Sequence, residues 1–528
     1  MASLAAAPER ALVFIGFMGA GKTTVATQVA TALGVRALDS DRLLEQELGH
    51  SIAEEFELHG ERSFRAAEER LACGLLEEAG PGSVIALGGG SILSERVRAA
   101  LGPHLTVLLD ISARAAWRRA GAGPGQGKRP LASDRDAFDA LYASRAELYE
   151  QLADAILPAL APRVVLRALP SLRALARARA GTRLLWATAA SGEYPVFVGR
   201  GLLNAQTCSA EGLWPVERAA SRPFCVSDQN VAALYVERLG GVQELVEIAP
   251  GERNKTLASA ELVWSALAGG GMTRADHVVA LGGGVVGDLA GFCAATYQRG
   301  VPVVHVPTTL VAQVDSAYGG KTGVDLPQAK NYVGAYHHPA GVLVDPDTLR
   351  TLPREELAAG YAEVLKTALI AGGDLWQRVA AGEVLDERTI LACARTKLAV
   401  VAEDERDAGR RQVLNLGHTI GHALETVTDY ERYRHGEAVG LGLLAALRLS
   451  GLPELRAQVR ELLSAHGLPI ELDGEDVDQI LEATMRDKKR TGARVPFVLL
   501  GAPGEARTGC HVSEDELRAV VSELQARG

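Results

Sequence analysis

The sequence has little of what marks a secreted or membrane protein. Its six cysteines are scattered over 528 residues with no CxxC pair, which argues against disulfides and for a reducing compartment. No uninterrupted apolar run reaches the roughly 20 residues that span a bilayer. The first residues, MASLAAAPERALVF, lack the basic stretch and the long apolar stretch of a secretory signal. We therefore expect a cytoplasmic protein that does not contact membranes.

The chain also lacks an excess of positive charge. Its formal net charge is −10, which disfavours nonspecific binding of nucleic acid, because any basic surface would have to be local. Small anionic ligands would need basic residues concentrated in particular pockets. The hydrophobic share of 47% and the charged share of 23% are those of an ordinary globular protein. The length predicts about two to four domains.

Changes in composition predict where the domains begin and end. We expect a first domain over residues 1–178, a linker over 179–183, an α/β domain over 184–350 and a mostly helical domain over 351–528. In the first domain, short apolar runs such as ALVFIG (11–16) alternate with helical patterns, which predicts a parallel sheet with helices on both faces. The next domain is rich in β-branched runs and glycines, whereas the last has few glycines and helical periodicity.

A complete phosphate-binding motif lies between the first predicted strand and the first predicted helix. GFMGAGKT (16–23) matches G-x-x-x-x-G-K-[ST], whose glycines let backbone N–H groups surround phosphate oxygens. Lys22 adds a positive charge for the β- and γ-phosphates, and Thr23 can ligate Mg²⁺. The residues predicted to bind ATP in this motif are Gly19, Ala20, Gly21, Lys22, Thr23 and Thr24.

Three weaker motifs follow this loop. DSD (39–41) carries two carboxylates, GERSFRAAE carries Arg65 early in a helix, and GGG (88–90) follows an apolar strand pattern. Each is weak by itself, because acidic turns and helical arginines are usually solvated. Together with RPL (129–131) and RAELYEQLAD (145–154), they make the chain up to about residue 170 resemble shikimate kinase, a P-loop kinase.

The resemblance implies a small anionic polyol as the phosphoryl acceptor. It implies that Arg129 lies on a lid and reaches the ATP phosphates. Phosphoryl transfer is mostly positioning and charge stabilisation, so Lys22, Arg129 and Mg²⁺ would carry the catalysis. Asp39 is a candidate partner of the hydrated Mg²⁺ ion, or a base. The lid motif is usually RPLL, whereas this sequence has Ala132 at the last position. This difference would affect the motion of the lid and not the class of reaction. The implied shikimate-binding residues are Asp41, Arg65, Gly89 and Arg145.

A glycine-rich turn in the second half predicts another nucleotide site. LGGGVVGDLAGF (281–292) follows a strand pattern and opens a helix, so Gly283 and Gly284 could admit a pyrophosphate at the helix N-terminus. The motif is not G-x-G-x-x-G, so a standard Rossmann domain is not predicted. The expected nucleotide-binding set is Asp228, Asn230, Glu252, Lys255, Gly283, Gly284, Val285, Asp288, Thr308, Thr309 and Lys330.

Later motifs suggest a charged substrate and a metal ion. Glycines and lysines in VDSAYGGKTGVDLPQAKN indicate close approach to another phosphate-bearing ligand. LNLGHTIGHALE (414–425) has the pattern of a helix, which places His418 and His422 on one face about 5–6 Å apart, as two ligands of one metal would be. Glu363 and His435 lie in the motifs GYAEVLK and HGEAVGLG. A Glu and His ligand set suits Zn²⁺ with positions open for substrate.

These motifs, with DKK (487–489), make residues 184–525 resemble 3-dehydroquinate synthase. The resemblance implies that the seven-carbon sugar phosphate DAHP is converted to 3-dehydroquinate and inorganic phosphate. The implied cofactors are NAD⁺ and Zn²⁺, with Co²⁺ as an alternative ion. It assigns the zinc ligands to Glu363, His418 and His435, and proton transfer or substrate positioning to His422. The implied substrate residues, of which Lys366 is also catalytic, are Arg299, Asp315, Lys321, Asn331, Lys366, Lys397, Arg411, Asn415, His435 and Lys489.

One departure from the family pattern bears on proton transfer. Where that pattern has Glu in DERExGxR, this sequence has Asp407, which is one methylene shorter, so a catalytic proton acceptor there would reach about 1 Å less far. His422 would then carry more of the proton transfer.

The main interpretation is a bifunctional enzyme of the shikimate pathway that acts on small molecules and forms a homodimer through its C-terminal half. Two alternatives stand beside it. The second half could be another sugar phosphate cyclase or a metal-dependent polyol dehydrogenase. Either half could instead be a non-catalytic regulatory or scaffolding domain.

Overall fold

The structure, a computed structural model, divides the chain into two compact units. The first unit comprises Met1–Trp186, Pro195–Phe197 and Glu211–Leu213, and the second comprises Ala187–Tyr194, Val198–Ala210 and Trp214–Gly528. The described residues are 8–121, 134–159, 161–209, 212–217, 220–326, 329–383, 385–491 and 496–525. The predicted lid residues Arg129 and Ala132 lie outside the described residues, as does the side chain of Lys489. The domain limits given above remain predictions.

The first unit alternates strands and helices. Its strands are β1 (Leu12–Ile15), β2 (Ala37–Asp39), β3 (Val84–Ala86), β4 (Leu105–Asp110), β5 (Ala155–Pro158) and the start of β6 (Arg183–Thr188). Its helices are α1 (Lys22–Leu33), α2 (Ser40–Leu48), α3 (Ile52–Glu77), α4 (Glu95–Leu101), α5 (Ala113–Gly121), α6 (Arg135–Leu152) and α7 (Pro162–Arg177). The strands are parallel in the order β2-β3-β1-β4-β5, which confirms the predicted parallel sheet.

The central strands of this sheet are apolar throughout. All four residues of β1 and the first five of β4 are buried, as expected when helices cover both faces of a parallel sheet. Because β1 lies between β3 and β4, the loop that follows β1 opens near the middle of the sheet edge. That edge is where open α/β sheets bind ligands.

The second unit begins with another α/β arrangement. Strand β7 (Glu193–Val198) has residues in both units. The strands that follow it are β8 (Pro223–Asp228), β9 (Glu244–Ile248), β10 (His277–Gly282), β11 (Val303–Pro307), β12 (Lys321–Leu326), β13 (Ala329–Tyr336) and β14 (Gly341–Val344). The helices are α8 (Gln229–Tyr235), α9 (Leu257–Gly269) and α10 (Gly284–Thr296). Five of these strands are parallel in the order β14-β11-β10-β8-β9, and β12 pairs with β13 as an antiparallel hairpin.

Alternate residues of β8 and β10 pack into two separate hydrophobic cores. Phe224 and Val278 belong to one core together with residues of α9 and α10. Cys225 and Val279 belong to the other core, which includes Tyr235 of α8. Because successive side chains of a strand point to opposite faces, the two cores lie on the two faces of the sheet. Helices therefore cover both faces, which confirms the α/β class of this part.

The rest of the second unit is mostly helical, as predicted. Its helices are α11 (Arg354–Ala371), α12 (Gly373–Ala380), α13 (Glu387–Glu403), α14 (His418–Val427), α15 (His435–Leu449), α16 (Pro453–Ala465), α17 (Val477–Thr491) and α18 (Glu514–Leu524). A short antiparallel hairpin, β15 (Phe497–Leu500) and β16 (Ala506–Cys510), was not predicted. Within the described ranges, no helix combines the length and the apolar character that crossing a membrane requires.

One predicted helix is shorter than expected. Residues 414–425 have a helical pattern, but α14 begins only at His418, and Arg410–Asn415 form a separate 3₁₀ helix. Gly417 lies before α14 in a left-handed conformation with a φ of 79°. A Cβ there would lie 3.0 Å from the backbone nitrogen of Leu443, so the close packing of the chain also requires glycine. The prediction of one continuous helix is therefore wrong at its start.

A buried carboxylate holds the turn before β10. Asp276 is 3% exposed and accepts hydrogen bonds from the backbone N–H groups of Arg222 and Thr273, at 3.1 and 2.7 Å. The Arg222 guanidinium donates to both carboxylate oxygens, at 2.9 and 2.8 Å. These bonds hold the pKa of Asp276 well below its usual range. Asp276 thus joins the segment that precedes β8 to the segment that precedes β10.

We expect Asp276→Ala to lower the free energy of unfolding of the second unit by about 2–4 kcal/mol, because Arg222 and two backbone N–H groups lose a buried acceptor. The pKa of this carboxyl is lower in the folded state than in the unfolded state. Its contribution is therefore complete above the ordinary aspartate pKa of about 3.9 and is lost as the pH falls below it. Urea unfolding followed by tryptophan fluorescence at pH 7 and near pH 3 measures both effects.

The matched control for this experiment is Glu461→Ala, which removes an exposed carboxylate from α16. It should change the free energy of unfolding by less than about 0.5 kcal/mol. Equal stability of Asp276→Ala and the parent at pH 7 would contradict the structural role of Asp276.

Candidate active sites

The loop after β1, residues 16–21, forms a phosphate cradle of backbone groups, and the side chain of Lys22 lies against it. Gly16, Gly19 and Gly21 have φ values of 148°, 80° and 87°. Gly16 also has no room for a side chain, because a Cβ would lie 2.8 Å from the carbonyl oxygen of Leu109. Lys22 Nζ donates to the carbonyl oxygen of Gly16 at 2.8 Å. Backbone N–H groups and a lysine in this arrangement suit a polyphosphate.

Thr23 and Asp39 meet beside this cradle. Thr23 Oγ1 donates to Asp39 Oδ2 at 2.5 Å. The other carboxylate oxygen accepts from the backbone N–H of Arg42 at 3.1 Å and caps α2. Carboxylate and hydroxyl oxygens are ligands that Mg²⁺ prefers, directly or through water. The structure therefore brings the predicted Mg²⁺ ligand and its predicted acidic partner together.

The Gly88–Gly90 loop after β3 is held in place by hydrogen bonds. Its central carbonyl, that of Gly89, accepts from Tyr149 Oη at 2.5 Å and from Arg145 Nη1 at 3.3 Å. Arg145 is 7% exposed, and a buried guanidinium here suits a carboxylate ligand, whose charge and fork geometry it matches. A Cβ on Gly89 would lie 3.8 Å from Lys22 Nζ, so this loop borders the phosphate cradle.

Arg65 and Asp41 approach the same loop from α3 and α2. A Cβ on Gly90 would overlap the Arg65 guanidinium, and a Cβ on Gly88 would overlap Asp41 Oδ1. Arg65 Nη1 donates to Glu68 Oε2 at 2.7 Å, which orients the guanidinium. The residues predicted to bind shikimate thus lie together around this loop: Asp41, Arg65, Gly89 and Arg145.

In the second unit, predicted nucleotide-binding residues lie where neighbouring parallel strands end. β8 ends at Asp228, β10 ends just before Gly283 and β11 ends just before Thr308. These three positions therefore lie at the sheet edge where ligands bind. Thr308 is 3% exposed, and its Oγ1 has no hydrogen-bond partner among the described residues. Asp228 Oδ1 accepts from the backbone N–H of Asn230 at 2.9 Å and caps α8.

Close packing explains part of the glycine pattern at this edge. A Cβ on Gly283 would lie 2.8 Å from Thr309 Cγ2, and a Cβ on Gly284 would lie 3.1 Å from Ser316 Oγ. The helix α10 begins at Gly284, with Val285 in its first turn, so its free N–H groups point to the same edge. The glycines thus serve the packing of this turn as well as any approach of a phosphate.

Four predicted residues are joined by ion pairs. Lys255 is 2% exposed, and its Nζ lies 2.6 Å from Glu252 Oε1 and 3.3 Å from Asp288 Oδ2. Lys330 Nζ lies 3.3 Å from Glu252 Oε1 and 2.9 Å from Glu425 Oε1. Burial opposes the charge of Lys255, but the carboxylates of Asp288 and Glu252 raise its pKa above the usual range. Both lysines are therefore held as cations beside the sheet edge.

The buried carboxylate of Glu363 faces two histidines. Glu363 is 0% exposed, and neither oxygen accepts a hydrogen bond from the described residues, although Lys366 Nζ forms an ion pair with Oε2. Nε2 of His418 and Nε2 of His435 lie 3.5 and 3.4 Å from Glu363 Oε1. His418 Nδ1 lies 3.2 Å from the carbonyl oxygen of Leu416, which leaves Nε2 as the free donor atom. This donor set fits a Zn²⁺ or Co²⁺ ion.

A second possible metal group shares one of these histidines. His422, Glu425 and His435 also place three ligand atoms within 4.8 Å of one another. However, Glu425 already contacts Lys330 Nζ at 2.9 Å and His435 Nδ1 at 3.2 Å. A carboxylate on Nδ1 orients a histidine so that its Nε2 can bind a metal, and that Nε2 faces Glu363. The geometry therefore favours the group that contains Glu363.

Proton release accompanies metal binding at His435. Burial opposes its charge, but the adjacent carboxylates of Glu363 and Glu425 raise the pKa of His435 to about 9. A metal ion must displace this proton, because only a neutral imidazole nitrogen is a ligand.

Lysines surround a second, partly buried carboxylate near Glu363, that of Asp315. Lys366 Nζ lies 2.8 Å from Asp315 Oδ2, and Lys397 Nζ forms an ion pair with Asp315 Oδ1. Lys366 is 1% exposed; burial opposes its charge, but Asp315 and Glu363 raise its pKa. Burial lowers the pKa of Lys397. The structure thus joins three predicted substrate residues to the predicted metal group.

Three further predicted residues, Lys321, Asp407 and Arg411, have contacts within the second unit. Lys321 Nζ forms an ion pair with Asp407 Oδ2, and Asp407 Oδ1 is buried without a hydrogen-bond partner in the described part of the chain. Arg411 is 2% exposed, and its guanidinium donates to the carbonyl oxygens of Glu405 and Gly319 at 2.6 and 3.0 Å. The described hydrogen bonds of Arg411 thus hold two loops together.

The remaining predicted substrate residues are less informative. Arg299 and Asn415 are exposed. The backbone N–H of Asn331 donates to Asp325 Oδ1 at 2.6 Å, and its φ is 55°. Lys489 lies in α17. The roles of these residues in substrate binding remain predictions.

Three buried residues that sequence reasoning missed each lie one helical turn after a predicted residue. Glu68 follows Arg65 on α3, and Tyr149 follows Arg145 on α6. Glu425 follows His422 on α14, inside the motif LNLGHTIGHALE. Residues three or four positions apart on a helix share a face. This spacing could therefore have indicated that the three residues belong to the same sites as the predicted ones.

The two units define a class of protein with a P-loop phosphotransferase domain followed by a nucleotide-binding and metal-binding α/β enzyme. Residues 18–163 match the family model of shikimate kinase, and residues 245–359 and 360–490 match those of the 3-dehydroquinate synthase N-terminal and C-terminal parts. The 3-dehydroquinate synthase of Halorhodospira halophila is 44% identical over 345 residues, 61% of this chain and 94% of that protein. The chain belongs to the 3-dehydroquinate synthase family and carries a shikimate kinase domain before it.

Solved structures share the fold of the second part. The 2-epi-5-epi-valiolone synthase of Streptomyces hygroscopicus subsp. jinggangensis, with NAD⁺ and Zn²⁺ bound, is 26% identical with a TM-score of 0.55, over 63% of this chain and 96% of that one. A 2-deoxy-scyllo-inosose synthase complexed with carbaglucose-6-phosphate, NAD⁺ and Co²⁺ is 24% identical with a TM-score of 0.57, over 64% of this chain and 99% of that one. At this identity the second comparison concerns the fold alone.

We expect His418→Ala to weaken zinc binding in the second unit by more than about 100-fold, because it removes a direct ligand. His422→Ala is the matched control, since it removes the neighbouring histidine of the same helix. It should retain the ion. Zinc per chain, measured after dialysis against a buffered low zinc concentration, should fall by one ion in the first variant only. The reverse pattern would assign the ion to the group of His422, Glu425 and His435.

Proposed function

We propose that this protein is a bifunctional enzyme of the shikimate pathway. Its first unit transfers phosphate from ATP to shikimate, and its second converts DAHP to 3-dehydroquinate and phosphate. The observation that carries the proposal is the buried Glu363 carboxylate, which accepts no hydrogen bond from the described residues and faces Nε2 of two histidines. A homodimer formed through the second unit, a cytoplasmic location and the domain limits predicted above belong to the same proposal.

In the first unit, the residues divide between two anionic ligands. The cradle and Lys22 suit the ATP phosphates, with Mg²⁺ at Thr23. Arg65 and Arg145 would pair with the carboxylate of shikimate, and Asp41 would accept hydrogen bonds from its hydroxyls. Lys22 would lie between the two ligands, because it contacts the cradle and borders the Gly88–Gly90 loop. Its charge can therefore follow the transferring phosphoryl group.

In the second unit, the chain supplies charge and orientation to two cofactors. When bound, NAD⁺ accepts and returns a hydride while the metal ion polarises the substrate oxygens. Glu363, His418 and His435 would hold the ion, and the edge after β8, β10 and β11 would hold the nucleotide. Lys366 and Lys397 would neutralise the phosphate or carboxylate of DAHP, because they carry the local positive charge of an acidic protein.

Proton transfer in the second unit falls to two residues in this proposal. His422 is exposed and one turn from His418 on α14, so it can exchange protons with solvent and substrate. Asp407 is the second candidate, because Oδ1 of this carboxylate is buried without a described hydrogen-bond partner.

The second candidate function for this unit is that of another sugar phosphate cyclase. It is supported by the fold shared with 2-epi-5-epi-valiolone synthase, at 26% identity. The higher identity to 3-dehydroquinate synthases, 44% in one relative, favours DAHP. A sugar phosphate that lacks a carboxylate, offered in place of DAHP, separates the two, because DAHP carries one. A polyol dehydrogenase would instead accumulate NADH in proportion to its substrate.

We expect Lys22→Ala and His418→Ala to abolish different activities. Lys22→Ala should lower shikimate phosphorylation by about 10²–10³-fold, because a preorganised charge on the phosphates is lost. It should leave phosphate release from DAHP unchanged. His418→Ala should give the opposite result. Each variant thus controls for the other, and the assays are ATP-dependent phosphorylation of shikimate and phosphate release from DAHP with trace NAD⁺. If one variant abolished neither activity, the corresponding half of the proposal would fall.

We expect Gly90→Ala to raise the KM for shikimate by about tenfold or more while leaving the KM for ATP near the parent value. The φ of Gly90 is −101°, so alanine suits the backbone, but its Cβ would displace the Arg65 guanidinium. Gly74→Ala is the matched control, because no atom lies within 4 Å of a Cβ at that helical position. An unchanged KM for shikimate in Gly90→Ala would contradict the placement of Arg65 in the shikimate site.

A further inference from the structure

A third group of metal-ligating side chains lies in the first unit, apart from the residues assigned above. It consists of His50, Glu55 and His59, whose ligand atoms lie within 4.8 Å of one another. His50 is in the turn between α2 and α3, and the other two residues are on the first part of α3. Neither shikimate phosphorylation as proposed above nor the second unit uses them.

The three side chains meet at one carboxylate oxygen. His50 Nε2 lies 2.8 Å and His59 Nδ1 lies 2.9 Å from Glu55 Oε2. Ser63 Oγ donates to the other oxygen, Glu55 Oε1, at 3.0 Å. Glu55 is 3% exposed, whereas the side chain of His59 is 55% exposed. The group thus has a buried anionic end that is oriented by a serine and an open end at which an ion can enter.

The backbone around the group is set by local structure. Gly49 ends α2 in a left-handed conformation with a φ of 79°. Ser51 caps α3 and forms a capping box with Glu54, so the turn that carries His50 is closed on both sides. Glu55 and His59 are four positions apart and share a helical face. The first part of α3 ends directly after His59, where Gly60 has a non-helical φ of 77° and ψ of 171°.

The chemistry of this donor set is that of a divalent transition-metal site. Two imidazole nitrogens and one carboxylate oxygen are ligands of Zn²⁺, Co²⁺, Ni²⁺ and Cu²⁺. Ligand atoms on a tetrahedral Zn²⁺ are about 3.3–3.4 Å apart, given bonds of about 2.0–2.1 Å. The two nitrogens would therefore each move by about 0.5 Å from the glutamate oxygen. Three protein ligands leave a fourth position for water, and the bond from Ser63 to the second oxygen is the outer contact that such ligands need.

A buried carboxylate also needs a compensating positive charge. Two neutral imidazoles can each donate a ring N–H to Glu55, but they supply no positive charge, which a metal ion at this carboxylate would. A metal ion would bind the carboxylate and both histidines at once.

We propose that His50, Glu55 and His59 bind one divalent transition-metal ion, of which Zn²⁺ is the representative, in addition to the ion held by Glu363, His418 and His435. This site goes beyond the proposed function, because neither activity requires it. It joins the turn after α2 to the first part of α3, the helix that also carries Arg65.

Zinc titration of the full chain tests the proposal. Chelator-treated protein is titrated with Zn²⁺ in competition with a chromogenic zinc indicator, for the parent, His59→Gln, His418→Ala and the double variant. We expect two ions for the parent, one for each single variant and none for the double variant. The matched control is His511→Gln, which removes an exposed histidine outside both groups and should keep two ions.

The four proteins also separate this site from the metal site of the second unit. A parent that binds one ion, lost in His418→Ala and kept in His59→Gln, would overturn the proposal and leave the synthase site intact. An ion lost in His59→Gln and kept in His418→Ala would support the new site even if the synthase site failed. His50→Gln gives a second, independent variant. If His50→Gln and His59→Gln both folded with a parental circular dichroism spectrum and still bound two ions, the proposal would be wrong.

Discussion

The helical part of the second unit depends on how the charge of Glu363 is compensated. This carboxylate lies on α11 and is 0% exposed, so an uncompensated charge there would be very costly. The groups that face this carboxylate come from the same helix and from two others: Lys366 on α11, His418 on α14 and His435 on α15. Packing supports this meeting, because Gly436 has no space for a Cβ against the Ala359 backbone. The packing of these three helices therefore also sets the geometry of the metal ligands, and a bound metal ion would link the three helices.

The same geometric rule places the sites of both units. In parallel sheets, the loops after the strands meet at one edge, where N–H groups of the following helices remain free. The phosphate cradle follows β1, and the predicted nucleotide residues follow β8, β10 and β11. An acidic protein can bind anions at such edges because the positive charge is local. Lys22 contacts the first edge, and Lys255 and Lys330 are paired with carboxylates beside the second.

Much of the fold and of the chemistry could be predicted because it depends on short stretches of chain. The α/β character, the phosphate loop and the helical C-terminal part all follow from local patterns, and the structure agrees with them. The exceptions arise where distant packing decides. The helix predicted over 414–425 begins late because Gly417 must pack against Leu443. Glu425 was missed because nothing in the local pattern distinguishes a glutamate that contacts His435 from one that is solvated.

The sequence by itself determined which residue types could act together within one turn or one loop. It placed Lys22 and Thr23 after a glycine loop, and His418 and His422 four positions apart, because helix and turn geometry act over a few residues. Spacing alone left open which histidine faces Glu363; the family resemblance assigned His418 and His435, and the tertiary structure supplies the physical reason. His435 and Glu363 lie on other helices, and their positions depend on the packing of α11, α14 and α15 and on the hydrogen bonds that orient each ring. Such orientation is a property of contacts between elements, which no spacing within one element encodes.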